Sequence, residues 1–305
     1  MNTLDQTTMN FSPTAALVLQ CILALVIFGV SLELSFTDFR RLLNAPKPVI
    51  AALTSQLIAL PLLTFALIWV MDPLPSLALG LMMTAACPGG NMSNVLTHWS
   101  GGRTAVSMSA TTISSLISPI TTPLTFQLLG NLHPATQAAM RHISVPYTEL
   151  VMTIFIALVL PLIAGMTLTQ LRPQLSARIR KPLRSFGVAV FFLFVVLATV
   201  TNAGIFLKVM GALFLLVALH NVLALACGFS FGTLFRVEES ERRAITFETG
   251  VHNTALGLTL IFTYYQGLGG MALVVGWWGI WQLLTGGLIA RIWSKRIAQT
   301  RSNGR

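Results

Sequence analysis

Apolar runs of about twenty residues, separated by short polar loops, dominate this sequence. A run of that length crosses the hydrocarbon core of a bilayer as a helix, which satisfies its backbone hydrogen bonds internally. Hydrophobic residues make up 54% of the chain and charged residues only 9%, whereas soluble domains carry about 25% charged residues. The sequence therefore predicts an all-α polytopic membrane protein whose surroundings are the lipid bilayer.

Nine runs are long enough to be membrane spans, and together they predict one transmembrane domain over residues 13–293. The predicted spans are 13–36, 47–70, 75–98, 104–129, 146–170, 185–204, 207–235, 242–265 and 270–293. Residues 1–12 and 294–305 remain as tails. No basic segment precedes the first run, as it would in a signal peptide, so we interpret this run as a retained span.

The distribution of basic residues predicts the orientation of the chain in the membrane. The net charge is +10, but the basic residues lie in short loops between apolar runs, which indicates membrane topology rather than nucleic-acid binding. Of the 19 basic residues, only Arg141 and Lys208 fall in loops on the less basic side. The positive-inside rule then places tail 1–12 outside and tail 294–305 in the cytoplasm. The compact chain favours a bacterial inner (plasma) membrane.

Motifs for catalysis or structural metal binding are not found in this sequence. Cys21, Cys87 and Cys227 all lie in apolar runs, without a CxxC pair or a Cys/His cluster, so we expect neither a disulfide framework nor a zinc site. There is no HExxH motif, and no cysteine lies beside a histidine or aspartate. We therefore expect a transport protein rather than an enzyme; a channel is a rival class, for which flux would not saturate.

Two of the predicted spans are interrupted by polar and helix-breaking residues. The third contains CPGGNMSN (87–94), and the eighth contains ETGVHN (248–253), which begins with Glu248. A carboxylate inside the membrane costs several kcal/mol and normally marks a function. Unwound backbone is tolerated at that depth only where it is buried in protein or lines a cavity. Pro88 alone is as consistent with a simple kink, but two polar breaks in separate halves favour a site.

The positions of the two breaks predict an inverted repeat. The third and eighth spans are five apart, so the two halves cross the membrane in opposite directions. This is the layout of a secondary transporter whose broken helices flank a site near the midplane. Half-helices that begin near Ser93 and Asn253 would direct their positive dipole ends to the centre, and Glu248 would balance the charge of a bound cation. His220 and Asn221 lie in the middle of a span and are interpreted as an interhelical hydrogen-bonding pair.

The stretches CPGGNMSNVLT, SMSATTISSLISPITTP and ITFETGVHNTALGL resemble signature stretches of the bile acid:sodium symporter family, in register from about residue 20 to 295. The resemblance implies two broken, crossing helices and import of an organic anion with sodium by alternating access. It also implies a panel domain and a core domain. The panel comprises residues 13–36 and 146–204, and the core comprises 47–129 and 207–293.

The resemblance further implies the binding residues, position by position. The first sodium site comprises Ser93, Asn94, Ser107, Thr111 and Glu248. The second comprises Gln56, Glu248, Thr249, Val251 and His252, with backbone carbonyls serving at Thr249 and Val251. The substrate is expected near Asn91, Met92, Asn253 and Gln282. Hard oxygen ligands suit a hard monovalent cation, and no metal other than sodium is implied.

His252 departs from the family, which usually has glutamine at this position. A neutral imidazole offers nitrogen, a poor ligand for a hard cation, and would weaken the second sodium site. Alternatively, the ring titrates near its unperturbed pKa of about 6.5, and a proton replaces the second sodium ion. In a third interpretation, the ring only forms hydrogen bonds. The sequence therefore leaves a proton-coupled or sodium-independent carrier of small organic anions as the alternative function, and it does not identify the substrate.

Overall fold

The computed structural model describes residues 13–32, 46–141, 146–201 and 203–303, and these residues are almost entirely helical. The helices of the first half are α1 (Pro13–Ser31), α2 (Pro46–Met71), α3 (Pro75–Ala86), α4 (Met92–Trp99), α5 (Thr104–Leu132) and α6 (Pro134–Arg141). Those of the second half are α7 (Tyr147–Leu171), α8 (Pro173–Thr201), α9 (Ala203–Leu234), α10 (Glu239–Gly250), α11 (Thr254–Tyr264) and α12 (Gly269–Asn303).

The apolar helices identify an integral membrane protein. In the part of the chain that the structure describes, four segments are long and apolar enough to cross a bilayer: α2, α7, Leu213–Leu234 of α9 and Gly269–Ile297 of α12. Shorter apolar segments are Leu17–Gly29, α3 and α11. Nearly all described residues of each predicted span are helical, and the third and eighth spans each contain a pair of short helices. The boundaries of the nine spans as membrane segments, and the division into core and panel, remain predictions.

Several helices differ in length from the predicted spans. Helix α8 begins at Pro173, inside the predicted basic loop, because proline without an N–H is well accommodated in the first turn of a helix. Helix α12 continues to Asn303, so much of the predicted tail 294–305 is helical. Helix α6 lies in a region predicted to be a loop. Residues 1–12 and 33–36 lie outside the described residues.

The two predicted breaks are present. Helix α3 ends at Ala86, and α4 begins at Met92, after Pro88, which supplies no backbone donor. Helix α10 ends at Gly250, and α11 begins at Thr254. The side chain of Asn253 caps α11 by accepting a hydrogen bond of 3.1 Å from the Leu256 N–H. The half-helices therefore start within one residue of the positions predicted from the sequence.

A π-helical turn interrupts α2 at Ser55–Ala59 and directs polar side chains at the second break. Pro61 lies just after this turn and cannot donate a backbone hydrogen bond, which favours the wider turn before it. Ser55 Oγ lies 2.6 Å from Thr249 Oγ1, and Gln56 Nε2 donates to the Glu248 carbonyl at 3.4 Å. Helix α7 contains a similar turn, Phe155–Val159.

Charged groups join the end of α4 to the beginning of α10. The buried Arg243 guanidinium donates to the Ser100 carbonyl at 2.7 Å and forms an ion pair with Glu239. Arg103 pairs with Glu241 at 2.6 Å. These contacts fix the two interrupted helices relative to each other on the side of the molecule away from α11.

Candidate functional site

The two breaks contact each other directly through their backbones. Gly90 N donates to the Val251 carbonyl, and Asn253 N donates to the Pro88 carbonyl, both at 2.9 Å. Gly89 and His252 thus pair as in an antiparallel sheet. A Cβ at Gly90 would lie 2.6 Å from the His252 carbonyl oxygen, and one at Gly89 would lie 2.0 Å from Glu248 Oε1. The close atoms at Gly90 are backbone and cannot shift easily, so glycine at this position allows the helices to cross this closely.

Side chains from other helices satisfy the remaining backbone groups of the second break. Gln282 of α12 accepts from His252 N at 2.8 Å and donates to the His252 carbonyl at 3.2 Å. Asn221 of α9 donates to the Gly250 carbonyl at 3.1 Å, and its own carbonyl accepts from Thr285 at 2.6 Å. Buried backbone groups need such partners, so these amides hold the break in place.

The five residues predicted for the first sodium site lie together at the crossing. Glu248 is fully buried. Its Oε2 accepts hydrogen bonds from Ser93 Oγ at 2.7 Å and Ser107 Oγ at 2.9 Å. Thr111 Oγ1 lies 2.9 Å from both carboxylate oxygens and 3.4 Å from Asn94 Oδ1. Helices α4, α5 and α10 thus surround one carboxylate with hydroxyl and amide oxygens.

Glu248 has no ion pair among the residues described. The nearest arginines along the chain, Arg242 and Arg243, have other partners: Arg242 stacks on the Phe229 ring, and Arg243 binds Ser100 and Glu239. A structural role for Glu248 as counter-ion to either arginine is therefore disfavoured. Its surroundings consist of oxygen atoms that can both donate hydrogen bonds and bind a cation.

The residues predicted for the second sodium site also lie close together, but several already have partners. Gln56 is fully buried, and none of the described residues provides a hydrogen-bond partner for its Oε1. The Val251 carbonyl accepts from Gly90 N, which leaves one of its lone pairs. The Thr249 carbonyl lies 2.9 Å from His252 Nε2. Oxygen atoms that could bind a cation are therefore present, although the His252 ring already contacts one of them, the Thr249 carbonyl oxygen.

Both ring nitrogens of His252 face carbonyl oxygens. Nε2 lies 2.9 Å from the Thr249 carbonyl and Nδ1 lies 3.1 Å from the Cys87 carbonyl. A neutral imidazole carries one N–H, so it can donate to only one of these acceptors. The ring therefore lies between the first break and the end of α10 and donates to one carbonyl of the two. A glutamine here would offer an amide oxygen as well as N–H donors.

A cavity of about 360 Å³ adjoins the crossing, and all four residues predicted for the substrate site line it: Asn91, Met92, Asn253 and Gln282. Apolar residues of α1 form the opposite wall, among them Ile22 and Val26. The first turns of α4 and α11 both meet the cavity. Among the described residues, its lining includes no Asp, Glu, Lys or Arg. Gln282 contributes to the lining while its amide is bound to the His252 backbone.

The sequence did not predict all the residues that contact the second break, but it did predict the interhelical hydrogen bonds of His220. Ser55 and Asn221 contact the second break, and Thr285 bonds Asn221. Asn221 forms the interhelical hydrogen bonds expected of it, but its position at the break was not predicted. His220 does form interhelical hydrogen bonds: Trp278 Nε1 donates to its Nδ1 at 2.8 Å, and its Nε2 lies 2.8 Å from Thr64 Oγ1. Because Nδ1 accepts, Nε2 carries the proton.

Comparison with known proteins agrees with the family that the sequence motifs resemble. The model of the Sodium Bile acid symporter family matches residues 20–209. The chain is 30% identical over 287 residues to the uncharacterized sodium-dependent transporter YocS of Bacillus subtilis, covering 93% of this chain and 85% of that protein. It is 30% identical to the probable chloroplastic sodium/metabolite cotransporter BASS2 of rice, covering 84% of this chain and 62% of that protein. The human ileal sodium/bile acid cotransporter is 26% identical, over 80% of this chain and 68% of its own length.

Proposed function

This chain belongs to the sodium bile acid symporter family, and we propose that it imports a small organic anion together with sodium by alternating access. The family is one of sodium-coupled membrane transporters, which supports a transport function for this chain. The proposal adds the kind of substrate, the direction of transport, the binding residues and the movement of a core against a panel.

The observation that carries the proposal is the buried Glu248 carboxylate with its ring of hydroxyl groups. Ser93, Ser107 and Thr111 all lie within 2.9 Å of a carboxylate oxygen, and Asn94 adjoins Thr111. These are hard oxygen ligands with one negative charge among them, which suits a monovalent cation. Hydroxyl groups can turn from hydrogen bonding the carboxylate to binding an ion with their lone pairs.

The same short segments serve both the cation site and the cavity, which provides a physical basis for coupling. Asn94 lines the cavity and accepts from Thr111, whereas Ser93 beside it binds Glu248. Four residues after Glu248, His252 also lines the cavity. A sodium ion that orders these segments would favour substrate binding, and by linkage the substrate would favour sodium to the same extent.

The cavity favours an organic anion with an apolar body. Two helix N-termini, of α4 and α11, supply partial positive charge, and Asn91 and Asn253 supply amides. The wall formed by α1 is apolar. The names of relatives mention a bile acid in one case and an unspecified metabolite in another; we propose a small carboxylate here.

Uptake by purified protein in vesicles tests the proposal. A thermal-shift screen of small organic acids, with and without sodium, first identifies a substrate. We then expect concentrative uptake of that acid only when sodium is present in excess outside, at fixed pH and voltage. Uptake that persists after sodium is replaced by potassium, or that follows a proton gradient instead, would contradict the proposal and support the alternative carrier.

A further inference from the structure

Hydrogen bonds at one end of the molecule join α1 and α7 to helices that carry the crossing. The Tyr264 hydroxyl, at the last residue of α11, donates to the Glu149 carbonyl of α7 at 3.0 Å and also bonds the Thr153 hydroxyl. Nearby, Gln20 of α1 donates to Thr263 at 3.3 Å. Tyr147 of α7 donates to the Ile120 carbonyl of α5 at 3.1 Å. All four contacts lie at the end where α11 finishes and α7 begins.

The opposite side of the crossing is arranged differently. There the cavity separates α1 from α4 and reaches His98 and Trp99 at the end of α4. Trp99 is 59% exposed. Among the described residues, no hydrogen bond joins α1 or α7 to α4. Within the described parts of the chain, hydrogen bonds thus bridge α1 and α7 to their neighbours at the α11 end, whereas none bridges them to α4 at the other end, which is the cytoplasmic end in the predicted orientation.

We propose that Tyr264 holds the outer side of the transporter closed by bridging α11 to α7. This inference rests on the proposed alternating-access function. Tyr264 lies ten residues from the start of α11, about 15 Å along the helix axis, and it does not line the cavity. It is therefore a positioning residue, which acts on access to the site rather than on the ligands.

The chemistry of the bridge suits a contact that must break and re-form in each cycle. Tyr264, Thr153 and the Glu149 carbonyl are all neutral, so separating them leaves no unpaired charge in the membrane. A neutral hydrogen bond stabilises a structure by only about 1 kcal/mol. A contact of that strength biases the closed state by about fivefold without preventing it from opening.

Cysteine accessibility measures this bias. Cys21 is exposed, whereas Cys87 and Cys227 are buried, so a Cys21→Ser background with Val26→Cys places one reactive thiol on the cavity wall. A membrane-impermeant maleimide is applied to whole cells or to inverted vesicles, without substrate or sodium gradient. We expect Tyr264→Phe to raise the ratio of outside to inside labelling about fivefold. Thr153→Val should produce a change in the same direction.

Thr169→Val is the matched control. It removes a hydroxyl from the same helix, but Thr169 bonds the Leu32 carbonyl and Ser176, within the group formed by α1, α7 and α8. Its labelling ratio should equal that of the parent. If folded Tyr264→Phe protein has the same ratio of outside to inside labelling as the parent, the proposal is overturned. If that variant does not fold, a parental ratio in Thr153→Val overturns it. Because labelling requires no transport, a changed ratio without sodium-dependent uptake would contradict the proposed function alone.

Discussion

At the scale of single residues, Glu248 is the only acidic side chain among the described residues that is completely buried, and every group that contacts its carboxylate is neutral. An isolated charge in such surroundings is costly unless it is paired. Hydroxyl donors offset part of that cost, and a bound cation would offset more. We therefore expect a bound ion to stabilise the crossing through this residue.

Glu248→Gln keeps the size of the side chain and removes its charge. Removing one partner of a buried ionic interaction costs about 3–5 kcal/mol, so we expect sodium affinity to fall by about 100-fold or more. Sodium-dependent thermal stabilisation and concentrative uptake should both be lost, with expression largely unchanged. Asp72→Asn, which changes an exposed acid in the loop after α2, should behave as the parent. Normal sodium dependence in Glu248→Gln would refute the assignment.

His252→Gln introduces the glutamine that the family usually has at this position. The change replaces a ring nitrogen 2.9 Å from the Thr249 carbonyl with an amide that offers oxygen. We expect half-maximal stabilisation at a severalfold lower sodium concentration, or a steeper dependence on sodium. The measurement is a sodium titration of thermal stability in parent and variant.

The pH profile of uptake between about pH 5.5 and 8 separates the interpretations of His252. Loss of pH dependence in His252→Gln would indicate that the ring exchanges a proton during transport. A changed sodium response with an unchanged pH profile would indicate a weakened sodium site. If neither changes, the ring only forms hydrogen bonds, and both functional interpretations fail.

At the scale of helices, the positions of the breaks could be predicted because they depend on local chemistry. Pro88 has no backbone N–H to donate, which favours a helix break. A carboxylate such as that of Glu248 is costly inside the membrane and therefore marks a functional position. The contacts that complete the site could not be predicted, because they join residues far apart in the chain. Nothing in the local sequence indicates that Asn221 binds the Gly250 carbonyl or that Gln282 binds both backbone groups of His252.

The lengths of α8 and α12 were underestimated for a related reason. Hydropathy marks where a helix leaves the apolar layer, whereas the helix itself continues as long as its hydrogen bonds are satisfied. Arg178, Arg180 and Lys181 are exposed on the polar extension of α8. Similarly, Lys295 and Arg296 are exposed beyond the predicted end of the last span.

Gly90→Ala tests whether the close crossing of the broken helices is required. A Cβ at this position would lie 2.6 Å from a backbone oxygen of the other break, which cannot turn aside as a side chain can. Overpacking of this kind costs about 1–3 kcal/mol, so we expect a lower midpoint of thermal unfolding and weaker sodium stabilisation. The control is Gly276→Ala in α12, where a Cβ meets no atom within 4 Å. Equal midpoints in the two variants would show that the crossing tolerates a wider separation.

At the scale of the whole molecule, the asymmetry of charge predicts how the protein lies in the membrane. Of the 19 basic residues, the predicted topology assigns 17 to one side and only Arg141 and Lys208 to the other. This side includes Arg103 and Arg243, which join the end of α4 to α10. In that orientation the end of the cavity lined by His98 and Trp99 faces the cytoplasm, and Tyr264 lies toward the outer side.

Reporter fusions test this orientation directly. A fluorescent protein that matures only in the cytoplasm, fused after Arg305, should be bright, and the same reporter inserted in the loop 72–74 should be dark. A reporter active only outside the membrane should give the opposite pair of results. The second position matters because a dark fusion alone could reflect poor expression, whereas reciprocal signals at two sites cannot. A dark cytoplasmic reporter after Arg305, in a chain that is well expressed and inserted, would contradict the nine-span orientation. It would also reverse the side on which Tyr264 closes access to the cavity.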